Sequence, residues 1–176
     1  SISMCIVVHK DYLQRLTDLL KKYFPDKTIH TAIGGDTRFN SVKKGLELVE
    51  ADNTIVGIND AARPMVSVET IKRCFETAAQ KGNAIPVINV NESIRVIENN
   101  SNKAVNRSNY KVVQTPQCFN AAILKKAFEQ DYSSLFTDDA SVLEKTGEKI
   151  FLVEGNTENI KITHDTDLIL AQHFLK

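Results

Sequence analysis

An acid and a base stand close together in Asn59-Asp60-Ala61-Ala62-Arg63-Pro64, directly after the apolar run Thr54–Ile58 and before the helix-start pattern Val66-Ser67-Val68-Glu69. An aspartate at a strand end can ligate Mg²⁺ or a ribose hydroxyl, and a nearby arginine can take a phosphate through two hydrogen bonds. The same spacing also suits a plain Asp–Arg ion pair bracing the loop. Pro64 rigidifies the exit and biases Arg63 towards an extended backbone. In open α/β sheets this place, outside a strand's carboxyl end, is where ligands bind.

Other short stretches carry chemistry. Gly34-Gly35-Asp36-Thr37-Arg38 precedes Ser41 on the first turn of an expected helix. Glycines let backbone approach a ligand, and a helix start offers free N–H groups. Arg38 and Ser41 can face one side, where a base or phosphate could be read; an ordinary strand-to-helix turn fits as well. Gln114-Thr115-Pro116-Gln117 could orient a substrate or simply form a loop. Thr137 reads as the N-cap of a helix opened by Asp138-Asp139, whose acids suit the helix dipole. Lys161, between Ile160 and Ile162 on a short extended stretch, should point away from the core, towards a phosphate or solvent. His9, His30, His164 and His173 show no ligand spacing. No G-x-S-x-G, H-E-x-x-H or P-loop motif occurs, so hydrolase, zincin and P-loop readings gain no support.

The elements that must position these residues alternate. Residues 2–8 read as a strand covered on both faces. Asp11–Phe24 is helical, with Leu13, Leu16, Leu20 and Tyr23 inward, and Thr28–Ile33 is a second strand. Helices at 37–49 (Phe39, Val42, Leu46, Val49 inward) and 68–79 (Ile71, Phe75, Ala78 inward) flank the strand Thr54–Ile58. Ser67 caps the second of them and Gly82 closes it. Ala84–Ile88 follows as a strand. This βαβαβαβ order predicts an α/β fold: a three-layer, Rossmann-like, mostly parallel sheet. Residues 89–109 break the pattern. Ser93–Ile97 and Lys103–Val105 flank the turn-forming Glu98–Asn102, which predicts an inserted β-hairpin. Such a ribbon is marginal alone, so a second subunit is its natural support, with an unpartnered surface loop as the plain alternative. Lys111–Gln114 return to the sheet. Asn120 caps a helix through Gln130, Gly147 ends a helix begun at 137–140, Ile150–Val153 is a strand, and the last helix carries Leu168, Ala171 and Leu175.

The chain has 176 residues, 42% hydrophobic and 25% charged, with 22 basic and 22 acidic residues. That composition is expected of one soluble globular domain over 1–176, and zero net charge argues against a dedicated nucleic-acid or membrane-surface binder. Cys5, Cys74 and Cys118 are odd in number and far apart, so neither a disulfide framework nor a zinc site is expected. All three are read as buried small apolar groups in a reducing, cytoplasmic setting. No signal peptide or membrane-spanning run is read in the sequence.

Taken in order, the motifs resemble the 2-C-methyl-D-erythritol 4-phosphate cytidylyltransferase family. The matching pieces are Gly34-Gly35-Asp36-Thr37-Arg38 with Ser41-Val42, then Asp60-Ala61-Ala62-Arg63-Pro64, Glu92-Ser93-Ile94-Arg95 and Arg107. Gln114-Thr115-Pro116-Gln117, Thr137-Asp138-Asp139-Ala140-Ser141 and Asn159-Ile160-Lys161-Ile162-Thr163 complete the set. The resemblance implies a nucleotide-diphosphosugar-transferase-like fold and transfer of CMP from CTP to 2-C-methyl-D-erythritol 4-phosphate in non-mevalonate isoprenoid biosynthesis. It also implies roles. Gly35, Asp36 and Ser41 would contact cytosine. Asp60 would serve the Mg²⁺–nucleotide region, and Arg63, Thr115 and Thr137 would hold the sugar phosphate. Lys161 would neutralise charge at the α-phosphate. The 89–109 hairpin would be a dimerisation arm sending Ser93 and Arg107 into the partner's site of a homodimer.

Asn59 stands where the family usually has His, and Ser93 where some members have Thr. The family opens with a strand and a glycine-rich loop carrying an Arg and a Lys around the triphosphate. This sequence begins at what would be the second strand. A ribitol 5-phosphate cytidylyltransferase, or a non-catalytic dimerising fragment that binds sugar phosphate, are the alternative readings.

Overall fold

The protein is described from a computed structural model covering residues 3–50 and 53–175. The expected beginning of the first strand at Ile2 lies outside the described residues. In chain order the elements are β1 (Met4–Val8), α1 (Leu13–Tyr23), β2 (Ile29–Ile33), α2 (Arg38–Leu46), β3 (Ile55–Ile58), α3 (Val68–Lys81) and β4 (Asn83–Asn89). They continue with β5 (Arg95–Glu98), β6 (Ser101–Ala104), β7 (Lys111–Val113), β8 (Gln117–Asn120), α4 (Ala121–Ala127), α5 (Asp139–Glu144), β9 (Leu152–Glu154) and α6 (Asp165–Phe174). The expected βαβαβαβ order holds through β4. The chain divides into two compact units, Ser1–Thr54 with Asn120–Lys149, and Ile55–Phe119 with Ile150–Lys176.

In the first unit β1 pairs in parallel with β2, Met4 opposite Ile29 and Val8 opposite Ile33. β1 is less covered than its apolar run suggests: Met4 is 54% exposed and Cys5 is exposed, so the expectation of three buried thiols fails at Cys5. Tyr23, expected inward, is also exposed. Phe39 on α2 organises the core here. Its ring stacks on Phe128 at 4.7 Å and Phe136 at 5.6 Å and meets Tyr132 at 6.0 Å. Such pairs add about 0.5–1.5 kcal/mol each beyond simple burial. Asn120 caps α4 as expected, its side chain accepting from the Ile123 N–H.

In the second unit β3, β8, β4 and β7 lie side by side, with β9 on β4. The β4–β9 pair is parallel, while β7 and β8 run antiparallel to β4. The sheet of this α/β protein is therefore mixed around its central strand. β8 is a strand where a loop and helix cap were expected. Ser67 caps α3 by accepting from the Thr70 N–H, and Gly82 ends it in the left-handed region at φ 90°. The buried face of α3 is Thr70, Cys74 and Ala78, whereas Phe75 is partly exposed. Its ring still reaches Gly57 on β3, where an added Cβ would sit 2.9 Å from Cζ. Cys74 and Cys118 are fully buried together, and the hydrogen bond between them, with burial, pushes the Cys118 thiol far up. On α6 only Ala171 is buried; Leu168 and Leu175 are exposed.

The hairpin forms, with Arg95 opposite Ala104 and Glu98 opposite Ser101. Asn99 and Asn100, at φ 47° and 61°, make its two-residue turn, a conformation asparagine tolerates well. Along β5 and β6 only Val96 escapes full exposure.

Candidate active site

The expected site residues fall within both units, and each group is built locally. In the first unit the Gly34-Gly35 loop folds onto the opening turn of α2. The Ser41 hydroxyl accepts from the Gly35 N–H (3.2 Å) and donates to the Thr37 carbonyl (2.9 Å). The glycines are needed for this approach: a Cβ at Gly34 would sit 2.7 Å from Ser41 Oγ, and one at Gly35 2.5 Å from Asn40 Cβ. Thr37 caps α2 by accepting from the Asn40 N–H. Asp36 is exposed.

Arg38 does something its spacing did not reveal. Its Nη1 and Nη2 donate to Asp139 Oδ1 and Oδ2 at 2.8 and 2.6 Å. Asp139 is fully buried, while Arg38 is 39% exposed. This two-pronged pair ties the start of α2 to the start of α5. Asp138, not Thr137, is the N-cap of α5: it accepts from the Ser141 N–H while the Ser141 hydroxyl lies 3.2 Å from the Asp138 N–H. Two capping side chains stand side by side in the sequence, and the second, extended at φ −152° and ψ −179°, takes the cap position. Thr137 is left exposed.

In the second unit Asp60, Arg63, Thr115 and Lys161 come together. Lys161 Nζ lies 3.0 Å from Asp60 Oδ2, and Arg63 Nε 3.7 Å from the same oxygen. Lys161 is 47% exposed. The stretch around it joins no sheet ladder; it is fixed by the Ile162 N–H donating to the Ala62 carbonyl at 2.8 Å. Arg63 is mostly buried. Its N–H closes a turn onto the Asp60 carbonyl, Nη1 donates to the Asn159 carbonyl at 2.7 Å, and Nη2 reaches the Val113 carbonyl at 3.4 Å. The Asp60–Arg63 contact is thus a loose ion pair inside a tighter set of hydrogen bonds. Thr115 is buried, and its hydroxyl donates to Asn59 Oδ1 and accepts from the Asp60 N–H, both at 2.9 Å. Asn59 therefore serves the loop itself.

Ser93 and Arg107 both lie at the open end of the hairpin and are exposed. Arg107 Nη1 donates to the Asn91 carbonyl, which holds the two hairpin ends together.

Chemically, the second unit presents two cations on one carboxylate. Asp60 acts as their internal counter-ion, and an arriving phosphate can compete for Lys161. As a metal ligand Asp60 stands alone: among the described residues no group of three His, Cys, Asp or Glu side chains could hold an ion. A single carboxylate is nevertheless enough where substrate phosphates complete a Mg²⁺ shell.

The sequence profile of the family described as IspD: 2-C-methyl-D-erythritol 4-phosphate cytidylyltransferase matches residues 2–176. The chain belongs to this family. A 2-C-methyl-D-erythritol 4-phosphate cytidylyltransferase of Bacteroides fragilis is 51% identical over 144 residues, which are 82% of this chain and 65% of that protein. Its counterpart in Phocaeicola vulgatus is 46% identical over 155 residues, 88% of this chain and 70% of that protein. The chain thus spans 65% of the length of the Bacteroides relatives it matches. Among solved structures, the 4-diphosphocytidyl-2C-methyl-D-erythritol synthase of Anaerococcus prevotii superposes with a TM-score of 0.86 at 26% identity, covering 98% of this chain and 78% of that one. The Thermus thermophilus cytidylyltransferase gives 0.79 at 29% identity, covering 99% and 83%. The expected family and α/β fold class are those found. No helix among the described residues is long and apolar enough to cross a membrane.

Proposed function

We propose that the chain acts as a cytidylyltransferase, moving CMP from CTP to 2-C-methyl-D-erythritol 4-phosphate and releasing pyrophosphate in isoprenoid precursor biosynthesis. Beside family membership, the observation that carries this reading is the 3.0 Å contact of Lys161 with Asp60, beside Arg63, which joins two separate motifs in one cationic corner. In the reaction an oxygen of the sugar phosphate attacks the α-phosphorus of CTP. A new P–O bond forms, the bond to the bridging α–β oxygen breaks, and pyrophosphate leaves with that electron pair. The nucleophile is already an anion, so positioning and charge neutralisation suffice.

In this reading Gly35, Asp36 and Ser41 contact cytosine. Lys161 leaves Asp60 for the α-phosphate as negative charge builds there. Arg63, Thr115 and Thr137 serve the sugar phosphate. Thr115 acts by fixing the Asp60 loop, since both observed bonds of its hydroxyl go to residues 59–60. A Mg²⁺ ion arriving with the nucleotide would take an oxygen of Asp60 and neutralise phosphate charge. In this reading the chain carries out its chemistry in the cytoplasm. The exposed 89–109 hairpin serves as a dimerisation arm that delivers Ser93 and Arg107 to a second copy. Pyrophosphate release from CTP, compared for 2-C-methyl-D-erythritol 4-phosphate and ribitol 5-phosphate, tests the reading. A preference for ribitol 5-phosphate reassigns the substrate, and no release with either leaves a dimerising sugar-phosphate-binding chain.

A further inference from the structure

We infer that Asn159 is a positioning residue that sets the direction of Arg63 and the placement of Thr115 and Lys161; this rests on the cytidylyltransferase reading for its catalytic meaning, though not for its geometry. Asn159 is fully buried. Its carbonyl accepts from Arg63 Nη1 at 2.7 Å and from Gln114 Nε2 at 3.2 Å. Its side-chain Nδ2 donates to the Thr115 carbonyl at 2.8 Å. The Thr115 hydroxyl in turn holds the Asp60 N–H, the Arg63 N–H closes on the Asp60 carbonyl, and Lys161 reaches the Asp60 carboxylate. A closed circuit therefore runs through Asp60, Arg63, Asn159 and Thr115. Asn159 is the only one of the four to which no substrate or metal role is given.

The amide is oriented for this purpose. Among the described residues, Asn159 Oδ1 is buried without a hydrogen-bond partner, as is Arg63 Nε. Turning the amide over would set an oxygen against the Thr115 carbonyl oxygen, so the observed orientation keeps the Nδ2 bond and leaves Oδ1 unpaired. A buried acceptor without a donor is destabilising. Packing alone would be better served by an apolar side chain, which points to the Nδ2–Thr115 bond as the function of the amide. Gln114 reinforces the same segment. It is buried, its Nε2 also donates to the Asn156 carbonyl at 2.9 Å, and its Oε1 accepts from the Asn156 N–H at 3.3 Å. Loss of the Asn159 amide cuts the tie between this segment and the Thr115 carbonyl, and so loosens the Asn159 carbonyl that aims Arg63.

The test uses the full chain with ¹⁵N-labelled arginine, the Arg63 signals being assigned with Arg63→Lys. Asn159→Ala removes the amide, and Asn159→Asp keeps its size while setting a carboxylate oxygen against the Thr115 carbonyl. In the unsubstituted protein the Arg63 guanidinium should show restricted rotation, lost in both variants. In steady-state assays the KM for the sugar phosphate should rise about tenfold, the loss of roughly one charged hydrogen bond, with the KM for CTP nearly unchanged. Unchanged Arg63 signals, or equal movement of both KM values, overturns the inference. Absence of pyrophosphate release by the unsubstituted protein overturns the cytidylyltransferase reading separately, and the arginine signals still decide whether Asn159 aims Arg63.

Discussion

Lys161 Nζ stands 3.0 Å from Asp60 Oδ2, pairing the short segment before α6 with the loop after β3. The contact holds a half-exposed cation against a mostly buried carboxylate, from which a phosphate can draw it. Lys161→Ala is therefore expected to lower kcat about a hundredfold or more, as loss of a group that acts on transition-state charge does. The measurement is steady-state kinetics with both substrates varied. An effect confined to KM would assign Lys161 to ground-state binding alone.

The loop of Gly34 and Gly35 leaves no room for a side chain. A Cβ at Gly35 would fall 2.5 Å from Asn40 Cβ, on the first turn of α2. Gly35→Ala is expected to destabilise the protein by about 1–3 kcal/mol through overpacking and to weaken CTP use. Chemical denaturation and the KM for CTP read the two effects. An unchanged unfolding midpoint would show that the loop relaxes freely.

The Arg38–Asp139 pair puts a stability cost on a position that reads as a ligand contact. Arg38→Ala removes a two-pronged partner from a fully buried carboxylate. Because Arg38 is itself 39% exposed, the loss is expected to fall below the range for fully buried pairs, at about 2 kcal/mol. Arg38→Lys should recover only part of it, since an ammonium cannot match the carboxylate with two parallel bonds. Equal denaturation midpoints for Arg38→Ala and the unsubstituted protein would contradict this account.

The hairpin predicts an assembly. Ile97 is 78% exposed on β5, and a charge there should oppose docking on a second copy. Ile97→Asp is expected to shift sedimentation from dimer to monomer. Arg107→Ala should keep the dimer but raise the KM for the sugar phosphate about tenfold, the effect of losing a charge-assisted contact. A protein that sediments as a monomer before any substitution would remove the arm from the account.

The capping residues were legible because their chemistry is local: Ser67, Asn120 and Gly82 act within a turn of where they stand. Asp60 and Lys161 were legible as members of ordered motifs, although neither motif alone indicated that they touch. What escaped depends on long separations. Arg38 and Asp139 lie 101 residues apart, and nothing in either neighbourhood names the other. Asn159 falls at one end of a short extended stretch, while its importance lies in a carbonyl and an amide that reach Arg63 and Thr115. Thr137 lost the N-cap to Asp138 because adjacent capping residues compete and sequence does not rank them. Tyr23, Phe75 and Leu168 fit a helical period yet remain exposed, since periodicity selects a face without saying how deeply it is covered.

The most direct test is pyrophosphate release by the purified chain with Mg²⁺, CTP and either 2-C-methyl-D-erythritol 4-phosphate or ribitol 5-phosphate. The account predicts release that requires both CTP and the methylerythritol substrate and falls about a hundredfold or more in Lys161→Ala. Release that is absent, that prefers ribitol 5-phosphate, or that survives Lys161→Ala unchanged would contradict it.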